Sequence, residues 1–182
     1  MDVPNEILGL PDGNIVAIED NDELIDAVMQ EILGQGLQSV ANYGTFHLVL
    51  SSNNALDAVY ARMMYDPDLR AMPWQNTHVW LLHHEEDELV HETIISHSGI
   101  PEEQVHLCCV ETLIQEDPKV RLDCCMVELD DVESLSDATC NQCSVLLVLA
   151  KDRDKLATLN AWSQQLEVYW FTKTIDLHPE NP

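Results

Sequence analysis

Seven short apolar runs, at 15–18, 46–50, 78–82, 105–110, 122–127, 145–150 and 167–172, recur along the chain with helical patterns between most of them. Runs of this length, bounded by turn residues, read as strands. Phe46, Leu48 and Leu50 alternate with His47 and Val49, and Val49 is itself apolar, which is the pattern of a strand covered on both faces. Asp20 or Asn21 can cap a helix striped by Leu24, Val28 and Ile32, with Ile25 and Leu33 beside it; Gly34 and Gly36 weaken its end. A second helix is expected over 55–65. A third, around Leu89, Val90, Thr93 and Ile94, is stopped by Gly99 and Pro101, and a last spans 152–165 with Leu156, Leu159 and Trp162 on one face. Residues 111–120 read as a short loop or helical turn, and 128–141 as an acidic loop. Strands alternating with helices imply βαβ units, right-handed crossovers and a parallel sheet. The expected fold is a three-layer α/β/α domain over 15–176 with a mostly parallel, doubly wound sheet. An irregular arm, 1–14, lies before it and a polar tail, 177–182, after it.

In such a sheet, ligands bind beyond the carboxyl ends of the strands. The loops at that end are 51–54, 83–88 and 128–141. Ser51, Ser52, Asn53 and Asn54 join a strand to a helix N-terminus, where free backbone N–H groups and the helix dipole form an anion cradle. This cradle has no glycine, and no basic residue follows until Arg62, two turns into the helix.

Charge narrows the function classes. Eight Lys and Arg against 33 Asp and Glu give a formal charge of −25. Nucleic-acid and anionic-membrane binding need basic patches that so few cations hardly build. The sequence has no long apolar run and no basic-then-apolar leader, so a cytoplasmic or nuclear location is expected, not a secreted one. The acidic surface either keeps the protein solvated or meets a protein with a basic segment. The six cysteines fall in the pairs Cys108–Cys109, Cys124–Cys125 and Cys140-x-x-Cys143. Adjacent strand residues point to opposite faces, so the first two pairs should give one buried thiol to each side of the sheet.

The order and spacing of four stretches carry a resemblance: IVAIEDNDELIDAVMQEIL, FHLVLSSNN, MPWQNTHVWLLHHEE and HETIISHSGIPEEQVHL. Together with VLLVLAKDRDKLATLNA and LEVYWFTKTID near the C-terminus, they resemble the 6-phosphogluconolactonase family, related to glucosamine-6-phosphate isomerase/deaminase. The resemblance covers about 15–176 and implies the same α/β fold.

It also implies a lost active site. The family's Ser-Gly-Gly-Ser-Thr-Pro phosphate loop falls on Ser51, Ser52, Asn53, Asn54, Ala55 and Leu56. Without glycines the backbone loses the freedom to wrap a phosphate. The family's Gly-Asp-Glu-Arg falls on Leu82, His83, His84 and Glu85, with Glu86 next, so a carboxylate stands where the family has a guanidinium. The glycine- and histidine-rich third signature falls on VELDDVESLSD, 127–137, which has neither residue. The resemblance thus implies a catalytically inactive protein, a pseudoenzyme without catalytic residues. The alternative is a divergent sugar-phosphate lactonase or isomerase-type enzyme with a rebuilt site, using His83 or His84 as a base.

Other constellations are weaker. His83, His84, Glu85 and Glu86 with Cys140 or Cys143 offer metal-ligand types, but neighbours on a strand end diverge, and no metal or cofactor is expected. Cys140-x-x-Cys143 leads into a strand, whereas a redox pair should open a helix. His47, His78 and His106 read as core or sheet-edge histidines. Trp162, Tyr169 and Trp170 either pack on the sheet or anchor a partner. The expected role is a scaffold or adaptor module, bound to a protein with a basic segment or to a second copy. The partner surface is expected to gather Glu85, Glu86, Asp87, Glu88, Glu128, Asp130, Asp131 and Glu133.

Overall fold

The computed structural model describes residues 13–66, 71–83, 88–150 and 166–173. Seven strands form one sheet: β1 Asn14–Ile18, β2 Phe46–Leu50, β3 Thr77–Leu81, β4 Val105–Cys109, β5 Leu122–Glu128, β6 Cys143–Ala150 and β7 Glu167–Lys173. Their spatial order is β1-β7-β6-β5-β2-β3-β4, and every pairing is parallel. All seven coincide with expected runs to within two residues at either end. The expected arm and tail lie outside the described residues except for Gly13 and Asn14, and Asn14 already belongs to β1.

The helices lie on both faces. One core cluster joins Leu24, Val28 and Ile32 of helix α1 (Asn21–Tyr43), Val59, Tyr60 and Met63 of α2 (Asp57–Tyr65), and Phe46, Leu48 and Leu50 of β2. Helix α3 adds Val90 and Ile94 to it. This helix is built from Glu88–Val90, a π-helical turn His91–Ile95 and Ser96–Ser98, and ends on Gly99 at φ 68°. The second cluster joins Val49, Trp80, Cys125 and Val127 to Val110 and Ile114 of α4 (Val110–Glu116) and to Leu129 and Val132. Cys124 lies in the first cluster and Cys125 in the second, one thiol per face as alternation requires. The side chain of Cys108 and the helix expected over 152–165 lie outside the described residues.

Two expectations need correction, and one left open is decided. Residues 128–141 are not a loop: Leu129–Ser134 is a 3-10 turn and Asp137–Gln142 a helix, α5. Leu129 and Val132, three apart, are buried and give that turn its apolar side. Of the two readings of 111–120, the helical one holds, through Glu116. Gly34 and Gly36 do not end α1, which is capped by Asp20 and runs to Gly44 at φ 81°. Gly36 instead admits a neighbour: a Cβ there would meet the Phe46 ring at 3.3 Å, whereas one at Gly34 meets nothing within 4 Å. Trp170 and Phe171 are core residues and Tyr169 donates to Glu167 at 2.8 Å, so the packing reading of that aromatic segment holds. Trp162 lies outside the described residues.

The start of β5 is fastened to the start of β2. Asp123, 3% exposed, accepts from the His47 amide at 2.7 Å and from Arg121 at 2.6 Å. Arg121 also donates to Thr45 O at 3.1 Å and lies over the Tyr43 ring at 4.0 Å.

Two stability measurements follow. Asp123→Ala strips the His47 N–H and Arg121 of their acceptor and should lower stability by about 2–4 kcal/mol. Urea unfolding should show this as a lower midpoint at unchanged slope. Gly34→Ala should raise stability by about 0.5–1 kcal/mol by removing helix-interior glycine entropy. Gly36→Ala should gain less than that, because its new Cβ crowds Phe46.

Candidate functional site

The chain runs β2 to β3 to β4 toward one edge of the sheet and β5 to β6 to β7 toward the other. The direction reverses between β2 and β5, and the crevice beyond their carboxyl ends is where such sheets take ligands. Two segments leave that crevice. Ser51, Ser52 and Asn53 lead into a 3-10 turn, Asn54–Leu56, and α2; the 3-10 turn Leu129–Ser134 follows β5.

The first segment is closed on itself. Asn53, extended at φ −64° and ψ 127°, caps the turn with its side chain on the Ala55 amide at 2.9 Å. The Ser51 amide donates to Met126 O, the Asn53 amide to Ser51 Oγ and the Leu56 amide to Asn53 O. The Tyr60 hydroxyl donates to Ser51 O at 2.5 Å, and burial holds its proton well above the usual phenol range. Among the described residues the buried hydroxyl of Ser52 has no partner, and Asn54 is exposed. Four of the amides an anion would use therefore already have acceptors inside the protein.

The second segment delivers an anion of its own. Asp131 accepts from Ser51 Oγ at 2.7 Å, from Asn53 Nδ2 at 3.3 Å and from the Glu128 amide at 3.3 Å. Glu128, 8% exposed, accepts from the Asp130 amide at 2.6 Å, so the two carboxylates form a reciprocal cap on the 3-10 turn. Ser134 Oγ donates to Asp131 O at 2.6 Å and lies 3.1 Å from His83 Nε2. The structure thus brings Ser51, Asn53, His83 and Asp131 to one mouth. Glu88, Asp130 and Glu133 are exposed, whereas Glu128 and Asp131 turn inward and leave the expected acidic surface. His84, Glu85, Glu86 and Asp87 lie outside the described residues.

Two of the cavities are lined by described residues. One of about 50 Å³ lies between Asn21, Leu24, Ala55, Val59, Leu149 and Lys173. A polar cleft of about 200 Å³ opens at the other end of the sheet, by Gln35, Gln38, Asn42, Asp123 and Glu167. Drug-sized ligands occupy roughly 300–1,000 Å³. Among the described residues no group of three or more His, Cys, Asp or Glu is placed to hold a metal. Cys140 lies within α5 and Cys143 opens β6, and burial pushes both thiols up, Cys143 to about 12. A thiol so protonated is a poor nucleophile. Among the described residues no helix is long and apolar enough to cross a membrane.

Sequence reasoning missed two features. The role of Asp131 was hidden because one acid among many reads as surface charge. The other is a ring cluster of His47, His78, Trp80 and His106 on β2, β3 and β4. Its signal was present, since each histidine is the second residue of its strand.

No protein-family profile matches this sequence, and no curated protein does. Solved structures do. The 6-phosphogluconolactonase of Thermotoga maritima superposes with a TM-score of 0.67 at 14% identity, covering 90% of this chain and 100% of that one. The Trypanosoma brucei 6-phosphogluconolactonase gives 0.64 at 11%, covering 89% and 96%. That of Shewanella baltica gives 0.60 at 10%, covering 91% and 99%. The protein therefore has the α/β fold of the 6-phosphogluconolactonases, at a sequence distance that carries over the fold and not the chemistry.

Proposed function

We propose that this protein is a catalytically inactive chain of 6-phosphogluconolactonase fold that works as a protein-interaction module, a scaffold or adaptor. The observation that carries the reading is the Asp131 carboxylate, seated on Ser51 and Asn53 where the strand-to-helix turn would hold an anion. A phosphate about 4 Å from it would meet a repulsion of about 4 kcal/mol per charge pair at an effective dielectric constant of about 20. Both described arginines are engaged: Arg62 lies 3.5 Å from Asp22 and 3.4 Å from Asp26, and Arg121 holds Asp123 at the other end of the sheet. No histidine lies between His106 and His178 to serve as general base after β5.

The partner class follows from charge. A surface at −25 favours a protein with a basic segment, or a second copy that buries part of this face against its own few cations. The exposed acids at the mouth, Glu88, Asp130 and Glu133, with Glu85, Glu86 and Asp87 beside them in sequence, are the proposed contact. A second reading, a divergent lactonase or isomerase-type enzyme, rests on His83, whose ring nitrogen reaches Ser134 at the same mouth.

Two experiments decide. With 6-phosphogluconolactone as substrate, hydrolysis should run at the uncatalysed rate, and inorganic phosphate at about 10 mM should leave the melting temperature unchanged. Turnover abolished by His83→Ala would establish the second reading. For a partner recovered by affinity purification, reversing the charges at 85–88 should slow association about tenfold or more and leave dissociation nearly unchanged. Association should also weaken steeply with salt, since charges are screened beyond about 8 Å at physiological ionic strength. An association rate indifferent to both changes would place the contact elsewhere.

A further inference from the structure

At the end of the sheet opposite the mouth, His47, His78 and His106 sit side by side on β2, β3 and the edge strand β4. The rings of His78 and His106 are within 9° of parallel with centroids 5.3 Å apart, and His78 Nδ1 lies 3.0 Å from His106 Nε2. At that separation the rings meet edge to edge through one N–H···N hydrogen bond. Trp80 stacks on His106 at 3.6 Å, and its Nε1 donates to His47 Nδ1 at 3.3 Å. His47 lies 4.8 Å from His78, within 5° of parallel. Both hydrogen bonds need a bare imidazole nitrogen: Nδ1 of His47, and one of the two facing nitrogens of His78 and His106. A fully protonated cluster would lose both bonds and place three positive charges in contact.

The consequence falls on β4. Among the described residues it pairs only with β3, and its register to β3 is irregular between Trp80 and Leu81. The cluster is a side-chain tie across that seam. We propose that His47, His78 and His106 form an acid-responsive clasp, which holds β4 to β3 while neutral and releases that edge when protonated.

The surroundings favour the neutral state. Burial lowers the proton affinity of all three rings, taking His47 from 6.5 to about 4. The charged or titratable groups acting on His47 among the described residues are His78, which lowers its affinity, Asp123, which raises it, and Arg121 and His106, which lower it. Asp123 and Arg121 do not act independently. Those two are bonded to each other at 2.6 Å. From α4, which follows β4, the buried side chains are apolar, Val110 and Ile114. The sign follows from linkage. Folded rings bind fewer protons than unfolded ones below about pH 6.5, so the clasp is fully formed above that pH and weakens as pH falls, for His47 down to about 4. Each group contributes up to about tenfold in the opening equilibrium per pH unit within its window. The acidic surface works the other way, because mild acid relieves its self-repulsion.

The test is amide hydrogen exchange from about pH 7 to about pH 5, corrected for intrinsic rates, on the wild type and on His78→Asn/His106→Gln. The amides stand near the same two ring nitrogens and do not titrate. In the wild type, protection over 105–109 should fall about tenfold or more while that of β6 holds; in the double variant it should stay flat. Equal loss in both proteins, parallel loss in β6, or no loss would overturn the proposal. If the double variant does not fold, histidine ring titration by NMR on the wild type decides. All three rings should titrate below 6.5 with His47 last, and three ordinary titrations would reject the clasp.

Discussion

The seam between β2 and β5 joins the two halves of the sheet. No short connection links these strands: the chain travels through β3 and β4 before returning. Their ladder is also short, with Leu48, Val49 and Leu50 opposite Cys124, Cys125 and Met126. Acids from the β5 side fasten this seam at both ends. Asp123 takes the His47 amide at the start of β2, and Asp131 takes the Ser51 hydroxyl at its end. Hydrogen bonds to ionised acceptors contribute roughly 1.5–3 kcal/mol each, more than neutral ones, and these cross 76 and 80 residues of sequence. The crevice that a doubly wound sheet leaves at this seam is therefore part of the structural framework here.

That arrangement changes how the charge of the chain is read. Eight cations among 33 acids leave little to neutralise an outside anion, and the described arginines already bridge elements. The partly exposed pairs of Arg62 add little stability individually. Arg62 is held by Asp22 and Asp26 of α1. Glu128 and Asp131 likewise do a local job, capping the turn after β5, and contribute little to the outer surface. The acidity that a partner would meet is carried by the acids left exposed.

The strands were legible because a parallel sheet buried on both faces needs continuous apolar runs, and few other structures do. Helix α1 was legible in its stripe and its Asp20 cap but not in its length. Gly36 reads as a helix breaker until the Phe46 ring is seen against it. The turn after β5 was missed because its acids outweigh Leu129 and Val132 in the pattern. The site was legible only in outline. That segments 51–54 and 128–134 would meet followed from topology, whereas the engagement of Asp131 with Ser51 depends on a side-chain direction that no periodicity encodes. The histidines had a common strand position, but their contact required the register of β2, β3 and β4.

The two ends of the sheet apply one electrostatic rule in opposite ways. A buried group is tolerated in the charge state for which its neighbours supply hydrogen bonds. At the carboxyl end the neighbours are donors: a serine hydroxyl, an asparagine amide and a backbone N–H, which suit a carboxylate. At the amino end the ring nitrogens must also accept, from Trp80 and from one another, which suits neutral imidazoles and penalises protons. Strand β2 carries both ends of this contrast within five residues, from His47 to Ser51. A change that loosens β2 at one end alters the geometry on which the other depends, because the strand between them is packed on both faces and has no slack to absorb a shift.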